Sequence, residues 1–212
     1  MTRPAESVNV GLVRRPVDVL FVVVGLVVLA GGMVVVDDGR VPAWEVELFR
    51  AINDLPDGLY PLLWPFQQLG ALIVGPVLAV IALLAGRRRL ALAALLATVA
   101  KLVLERGVKA IVTRERPATS IGADIDTRGD VHLSGESFVS GHAVLVAALV
   151  AVLTPWLPAR WRIVAWVVVG GVGVARVYVG AHNPLDVVCG AALGLAIGGG
   201  LNLLLGVPEA GS

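Results

Sequence analysis

Six long apolar stretches dominate the chain, and short polar segments separate them. Each is close to the roughly 20 residues that a helix needs to cross a bilayer, and they occupy positions 17–36, 68–86, 90–110, 140–157, 163–179 and 185–207. The pattern predicts an all-α membrane bundle of six transmembrane helices. Because about 120 residues lie in these stretches, we expect residues 1–212 to form a single membrane-embedded domain with an N-terminal tail at 1–16.

The segment between the first two stretches is apolar but interrupted by proline and acidic residues. Its spacing predicts an amphipathic helix over 44–55 on the outer surface, whose apolar face comprises Trp44, Leu48, Ala51, Ile52 and Leu55. The first stretch follows two arginines, but it is longer than the apolar core of a signal peptide. An uncleaved first helix is therefore predicted.

Basic residues mark alternate connections between the stretches. They precede the first stretch and join the second to the third and the fourth to the fifth: Arg3, Arg14, Arg15, Arg87, Arg88, Arg89, Arg160 and Arg162. Since Lys and Arg in short loops stay in the cytoplasm, both termini are predicted to be cytoplasmic. The triplet at 87–89 is also compatible with a lipid headgroup site.

Composition agrees with a membrane protein. Hydrophobic residues make up 57% and charged residues 16% of the chain, against about 25% charged in soluble domains, and the mean hydropathy is +0.86. The net charge of +1 provides no basic surface for nucleic acid. The single cysteine, Cys189, can form no intramolecular disulfide and belongs to no zinc-binding pattern.

The ionisable residues at the outer ends of stretches three to six form three short blocks. We expect these blocks to converge on one face of the membrane, where ionisable groups indicate function. They contain Lys109, Arg116 and Pro117, then Ser140, Gly141 and His142, and finally Arg176, His182 and Asp186.

Five of these residues suit the binding of a phosphate. Lys109, Arg116 and Arg176 carry the positive charge that a transferring phosphoryl group requires. Ser140 and Gly141 stand where the fourth helix should begin, so their backbone N–H groups can bind an anion. The sequence therefore predicts a site for phosphoryl transfer.

The two histidines suit the chemical steps. Asn183 is a good N-cap and Pro184 fits the first helical position, which places Asp186 in the first turn of the sixth helix. There Asp186 can accept a hydrogen bond from one nitrogen of His182 and leave the other nitrogen free as a nucleophile. His142 is then predicted to be the general acid, and to act as the base in the second step.

The three blocks resemble the signature of the type 2 phosphatidic acid phosphatases, membrane relatives of the vanadium haloperoxidases. The resemblance covers about residues 101–190. The first motif is Lys, six residues and Arg-Pro, and it is matched by Lys109, Arg116 and Pro117. The second motif is Pro-Ser-Gly-His, and residues 140–142 match its last three positions. The third motif is Ser-Arg, five residues, His, three residues and Asp, and it is matched by Arg176, His182 and Asp186. Two positions depart from the family, because Val139 replaces its proline and Ala175 its serine.

The resemblance implies a metal-independent phosphatase that needs no cofactor. It implies a phosphohistidine on His182, oriented by Asp186, with His142 as acid and base, and a site that opens at the extracytoplasmic side of a cell membrane. The implied substrates are lipid phosphates such as phosphatidic acid, or polyprenyl diphosphates, and a polyprenyl diphosphate such as undecaprenyl diphosphate is our first expectation. The oligomeric state is left open.

Two other functions remain compatible with the sequence. A non-catalytic carrier or scramblase would use the same cations to bind lipid phosphates, but it would gain little from a histidine oriented by a carboxylate. A lipid phosphotransferase would pass the phosphoryl group to another acceptor instead of water.

Other charged residues receive structural interpretations. Lys101, Glu105 and Lys109 recur on one helix face, so mutual pairing is predicted; the alternative is that this row holds Lys109 in place or lines a cavity. The acidic outer loop at 113–139 is predicted to be solvated rather than a metal site. Within it, Arg114 and Arg128 are interpreted either as residues that recruit an anionic headgroup or as plain surface charges.

Overall fold

The computed structural model describes residues 12–209. In this part of the chain the helices are α1 (Pro16–Val35), α2 (Ala43–Asn53), α3 (Tyr60–Leu69), α4 (Val74–Leu84), α5 (Arg88–Ile111), α6 (Pro117–Ser120), α7 (Gly141–Leu153), α8 (Ala159–Tyr178) and α9 (Pro184–Leu205). Single 3₁₀ turns precede α3 and follow α7. Two short strands, β1 (Leu12–Val13) and β2 (Val207–Pro208), pair antiparallel and join the two ends of the described chain.

Each of the six apolar stretches is helical, but not every stretch forms a single long apolar helix. The helices α1, α8 and α9 are long and apolar enough to cross a membrane. Helix α5 has 24 residues but carries charges along its second half, and α7 has only 13 residues before its 3₁₀ turn. The chain is thus a helical membrane protein, while the count of six spans stays a prediction.

The second stretch differs from its expected form. The 3₁₀ turn Asp57–Leu59 continues into α3, and the resulting segment bends by 64° before α4. The expected helix over 68–86 is therefore broken after Leu69, and Pro65 lies inside α3. Gln67 lies two residues before the break, and its side chain is part of the site described below.

Helix α9 is the centre of the bundle, between α1 and α7. Gly190, Gly194 and Gly198 recur every four residues, and a Cβ at any of them would collide with α7. On the other side, Gly25 of α1 approaches the α9 backbone equally closely. Small residues let membrane helices approach to backbone contact, so these glycines fix α7 and α9 together with their N-termini side by side.

The two ends of the bundle have different chemistry. At the end where β1 pairs with β2, Arg14 donates to the Leu203 carbonyl and Arg89 to the Leu205 carbonyl, and the Arg87 guanidinium lies over the Trp156 ring. The predicted site residues lie at the opposite end. Of the N-terminal tail predicted at 1–16, residues 1–11, which include Arg3, lie outside the described residues.

Helix α2 forms where the amphipathic helix was predicted, but it presents the other face to the protein. Trp44 and Leu48 are about half exposed, whereas Glu45, Phe49 and Asn53 are buried. The predicted apolar face is thus exposed, as expected for an amphipathic helix on the outer surface. The opposite face is buried because Glu45 and Asn53 find charged and hydrogen-bonding partners inside the protein.

Candidate active site

The loops and helix ends after α5, before α7 and between α8 and α9 meet at one end of the bundle. Arg116 follows α5 in extended conformation as the N-cap of α6 and donates from Nη1 to the Ala181 carbonyl at 2.8 Å. The Ser140 N–H donates to the Asp186 carbonyl at 2.9 Å. The three predicted blocks are thus joined to one another by hydrogen bonds.

The local structure at the helix starts agrees with the sequence analysis. Ser140 is the N-cap of α7, and Gly141 is its first residue. Asn183 caps α9, Pro184 is the first helical residue and Asp186 lies in the first turn. The Asn183 N–H donates to Asp186 Oδ2 at 2.8 Å, which fixes the carboxylate at the mouth of the helix.

A cavity of about 300 Å³ opens at this end of the bundle. Among the predicted site residues, His142 and Arg176 line it. Its lining consists of Tyr60, Trp64, Gln67, Gln68, Ala71, Arg128, Asp130, Val131, His132, His142 and Arg176. His182 and Asp186 lie deeper, with His182 only 3% exposed and Asp186 fully buried.

The predicted phosphate-binding residues carry buried polar atoms that lack protein partners. Among the described residues, only five buried side-chain nitrogen or oxygen atoms have no hydrogen-bond partner. Three of these five are Arg116 Nε, Ser140 Oγ and Arg176 Nε. Because buried donors are normally satisfied, this group of atoms is suited to an anionic ligand with several acceptor oxygens.

Lys109 is the predicted site residue with the weakest connection to the cavity. Its Nζ pairs with Glu105 Oε1 at 2.9 Å, and Lys101 pairs with Glu105 Oε2 at 2.7 Å. The predicted pairing along α5 is therefore confirmed. The Glu105 carboxylate packs against the start of α7, where a Cβ on Gly141 would lie 2.6 Å from Oε2. The ion pair between Glu105 and Lys109 thus places Lys109 beside the N-terminus of α7.

The expected direct hydrogen bond between His182 and Asp186 is wrong. His182 Nδ1 and Asp186 Oδ2 are 3.7 Å apart, beyond hydrogen-bond length. Ser137 lies between them, with its Oγ 2.5 Å from Asp186 Oδ2 and 3.3 Å from His182 Nδ1. Ser137 lies three residues before Ser140 and outside the three blocks, which is why the motifs do not reveal it.

This arrangement assigns the His182 tautomer from its hydrogen-bond network. The ionised Asp186 carboxylate can only accept, so the single hydroxyl proton of Ser137 is donated to it. The Ser137 oxygen must then accept from His182, which places the imidazole proton on Nδ1. The Nε2 lone pair is consequently free, as a nucleophile requires.

Arg114 is a buried structural charge, not a surface residue. It is fully buried, and its guanidinium donates to both Glu45 oxygens and, at 2.9 Å from Nη1, to Asp186 Oδ1. Both of our interpretations of Arg114, headgroup recruitment and plain surface charge, were wrong. Burial by itself would lower the Arg114 pKa. The hydrogen bond to Glu45 and the negative charges of Asp186 and Glu45 outweigh this effect, and the Arg114 pKa is raised.

Arg128 is likewise a structural residue. It is 8% exposed, lies over the Tyr178 ring and donates to the Asn53, Leu55 and Tyr178 carbonyls. These bonds tie the outer loop to the end of α2, so the loop is more ordered than the solvated segment that we predicted. The interpretation of Arg128 as a plain surface charge was therefore wrong; since Arg128 also lines the cavity, its recruitment of an anionic headgroup stays a prediction.

Electrostatics keep the proposed nucleophile neutral. Burial lowers the pKa of His182 to about 4; the nearby Asp186 carboxylate opposes this shift, and the charges of Arg176 and Arg116 add to it. Burial also lowers the pKa of Arg116, against the charges of Asp186 and Glu105. A neutral imidazole next to cations that can hold a phosphate is the state needed for nucleophilic attack.

The depressed His182 pKa also predicts how stability depends on pH. Between pH 6.5 and about 4 the unfolded chain binds a proton at this histidine and the folded protein does not, so stability falls as pH falls through this window. We expect His182 to account for a loss of roughly 3 kcal/mol. Thermal unfolding of wild type and His182→Gln in detergent at pH 7, 6, 5 and 4 measures it; equal slopes for the two proteins would contradict the assignment.

Comparison with known proteins agrees with this geometry. The family model of the PAP2 superfamily matches residues 88–206. Lipid A 1-phosphatase of Rhizobium etli is 40% identical over 76 residues, which are 36% of this chain and 31% of that protein. Lipid A 1-phosphatase of Rhizobium johnstonii is 41% identical over 63 residues, or 30% of this chain and 25% of that protein. The matched segments are thus about a third and a quarter of these relatives' lengths.

Two solved structures share the fold. LpxE of Aquifex aeolicus has a TM-score of 0.65 and 26% identity, covering 74% of this chain and 93% of that one. A PAP2-type phosphatidylglycerolphosphate phosphatase from Bacillus subtilis has a TM-score of 0.65 and 23% identity, covering 87% of this chain and 94% of that one. Since the family model matches more than half of the sequence and includes all three blocks, the chain belongs to the PAP2 superfamily.

Proposed function

We propose that this protein is a membrane phosphatase that removes a terminal phosphate from a lipid. The observation that carries the proposal is the set of buried, unpaired donors on Arg116, Ser140 and Arg176, beside a neutral histidine whose free nitrogen is fixed by Ser137 and Asp186. Membership of the PAP2 superfamily supports it, as do relatives that are named phosphatases.

The first chemical step forms a covalent intermediate on His182. Its Nε2 attacks phosphorus, a P–N bond forms, and the bond from phosphorus to the lipid oxygen breaks. His142 in its protonated form donates a proton to that leaving oxygen. Arg116, Arg176 and the N-terminus of α7 stabilise the charge on the three equatorial oxygens.

The second step restores the enzyme. A water molecule attacks phosphorus, the P–N bond breaks, and the now neutral His142 accepts the proton from the water. Inorganic phosphate leaves, and His182 is again neutral with its proton on Nδ1. All the positive charge in both steps is supplied by side chains and backbone N–H groups, so we expect activity in the presence of EDTA.

An apolar groove supports a lipid as the substrate. It has a volume of about 310 Å³ between α4, α7 and α8, and its lining is entirely apolar. Leu69 of the groove follows two glutamines of the polar cavity on α3, and Val146 of the groove lies one turn beyond His142 on α7. A substrate with its phosphate in the cavity can therefore place a hydrocarbon chain in the groove.

A bulky side chain placed in the apolar groove should weaken the binding of substrates that carry a long hydrocarbon chain and leave other substrates unaffected. In Val77→Trp the indole would occupy the groove from its exposed side, so we expect KM for a long-chain lipid phosphate to rise about tenfold, from the loss of apolar contact. A water-soluble phosphate ester should be unaffected. Phosphate release from both substrates measures this, with the exposed neighbour Val80→Trp as the control; equal effects on both substrates would exclude the groove as the chain site.

The identity of the lipid follows from a direct assay. Phosphatidic acid, phosphatidylglycerol phosphate, a lipid A-type 1-phosphate and a polyprenyl diphosphate all present a terminal phosphate that the proposed site can bind. We would measure phosphate release from each of them by the purified protein in detergent with EDTA. Release from at least one supports the phosphatase. Binding of lipid phosphates without release would favour a carrier, and release only with an added acceptor would favour a phosphotransferase.

The same proposal includes an orientation in the membrane. Six spans with both termini in the cytoplasm would place the arginine-rich end, with Arg14, Arg87 and Arg89, on the cytoplasmic side. The site lies at the other end of the bundle, so it would open to the extracytoplasmic face. The exposed Trp44 and Leu48 of α2 would then lie at that membrane surface, where aromatic residues are favoured.

A further inference from the structure

One carboxylate close to the proposed active site comes from outside the region that carries the three motifs. Glu45 lies on α2, before the matched residues 88–206, and it is fully buried although it is charged. Buried carboxylates are rare unless they are paired. Its position therefore requires an account that neither the motifs nor the proposed mechanism provides.

Glu45 is the outer end of a continuous chain of hydrogen bonds that reaches the nucleophile. Its two oxygens accept from the Arg114 guanidinium, and Arg114 donates at 2.9 Å to Asp186 Oδ1. The other Asp186 oxygen accepts from Ser137, which contacts His182. All the side chains linked by these hydrogen bonds are buried.

Backbone contacts hold this chain at both ends. Glu45 Oε1 also accepts from the Leu185 N–H at 2.8 Å, in the first turn of α9 beside Asp186. The Ser137 N–H donates to the Arg114 carbonyl at 2.7 Å, within the short antiparallel pairing of Glu115 with Glu136. Arg114 and Ser137, the two side chains that donate to Asp186, are thus positioned by each other.

We propose that Glu45 and Arg114 are positioning residues for the nucleophile. Arg114 can hold only one orientation between two carboxylates, because its planar guanidinium offers parallel donors. That orientation fixes Asp186 Oδ1, which leaves Oδ2 to accept from Ser137 and so sets the tautomer of His182. Neither residue touches the phosphate, and α2 thereby becomes part of the catalytic apparatus.

The inference rests on the proposed function, and a charge-neutral variant tests it. Glu45→Gln keeps the size of the side chain and removes the charge that orients Arg114. We expect kcat to fall about 10- to 100-fold, as misplacement of a reacting group does, with KM within about twofold of wild type. Glu47→Gln, on the exposed face of the same helix, is the matched control and should keep both parameters.

A double-variant comparison distinguishes positioning from general damage. If Glu45 acts through Asp186, adding Glu45→Gln to Asp186→Asn should cost no more than about a further twofold in kcat. Losses that multiply in the double variant would overturn the proposal, as would a Glu45→Gln enzyme with wild-type kcat. Glu45→Asp, which keeps the charge, should retain more activity than Glu45→Gln.

A spectroscopic measurement tests the inference without any activity. In protein with ¹⁵N-labelled histidine, the His182 ring, assigned by its loss in His182→Gln, should show a single Nδ1–H tautomer. Glu45→Gln and Arg114→Lys should each convert it to a mixture of tautomers. An unchanged tautomer in a folded variant overturns the inference even if no lipid proves to be a substrate, whereas a changed tautomer with no phosphate release would refute only the proposed function.

Discussion

Replacing His182 with alanine is expected to lower phosphate release by about 10⁴-fold or more, as loss of a covalent nucleophile does in other enzymes. The residue is almost fully buried, its Nδ1 proton is directed at Ser137, and its neutral form persists through the physiological pH range. His142, which lines the same cavity, is assigned to proton transfer. The assay is phosphate release from the best lipid substrate in EDTA.

A labelling experiment makes the same variant decisive for the mechanism. With a substrate labelled at its terminal phosphate, wild type should carry transient label on protein, and His182→Ala should carry none. On His142→Ala the label should form more slowly, because the general acid is lost, but persist longer than on wild type, since the water that cleaves the P–N bond loses its general base. The proposed nucleophile would be wrong if His182→Ala kept a tenth of wild-type release, or if its label were undiminished.

Binding separates loss of chemistry from loss of the site. Arg116, Ser140 and Arg176 are untouched in His182→Ala, so a fluorescent short-chain phosphatidic acid should still bind with wild-type affinity. A carrier or scramblase would retain both binding and transport in this variant. The three measurements together therefore distinguish the phosphatase from the rival functions that the sequence leaves open.

The helix starts and the motif residues were predictable because their determinants are local. Asn183 and Pro184 specify the beginning of α9 through capping and a fixed φ. Ser140 and Gly141 stand at the N-cap and first position of α7, as predicted, and the apolar stretches define the helices between them. Once these helix ends are known, topology brings them to one end of the bundle.

The buried ionic chain could not be predicted in the same way, since its partners are distant in sequence. Glu45 and Arg114 are 69 residues apart, and an acidic residue on an amphipathic helix is typical of the solvated face. The spacing of Glu45, Phe49 and Asn53 at every fourth position was the one available signal of a buried polar face. It was outweighed by the larger apolar face around Trp44 and Leu48.

Ser137 shows a different limit of sequence reasoning. A carboxylate one turn into α9 and a histidine just before it suggest a direct bond, because that pairing is the simplest one the spacing permits. The capping of Asn183 by Asp186 turns Oδ2 towards the backbone instead, and a hydroxyl from another loop then fits between carboxylate and imidazole. Only the packing of that loop on Arg114 determines which residue occupies the gap.

The contact between α7 and α9 should be the most sensitive packing feature of the bundle. In Gly194→Ala the added Cβ would overlap the Val144 carbonyl oxygen, a backbone atom that cannot rotate away. We expect a loss of roughly 1–3 kcal/mol or more, as for other overpacked cores. The two helices would have to separate, and the Ser140 N–H to Asp186 carbonyl bond joins them at the proposed site, so activity should fall with stability.

Gly200 provides the matched control on the same helix. A Cβ there meets no atom within 4 Å, so Gly200→Ala should keep wild-type activity and unfold at the same temperature or higher, since alanine favours helix over glycine. Thermal unfolding in detergent and phosphate release are measured on both variants. If the two variants had the same activity and the same unfolding temperature, close backbone contact between α7 and α9 would not be required. The start of α7, with its phosphate-binding residues, and the start of α9, next to the proposed nucleophile, would then be held together by other contacts.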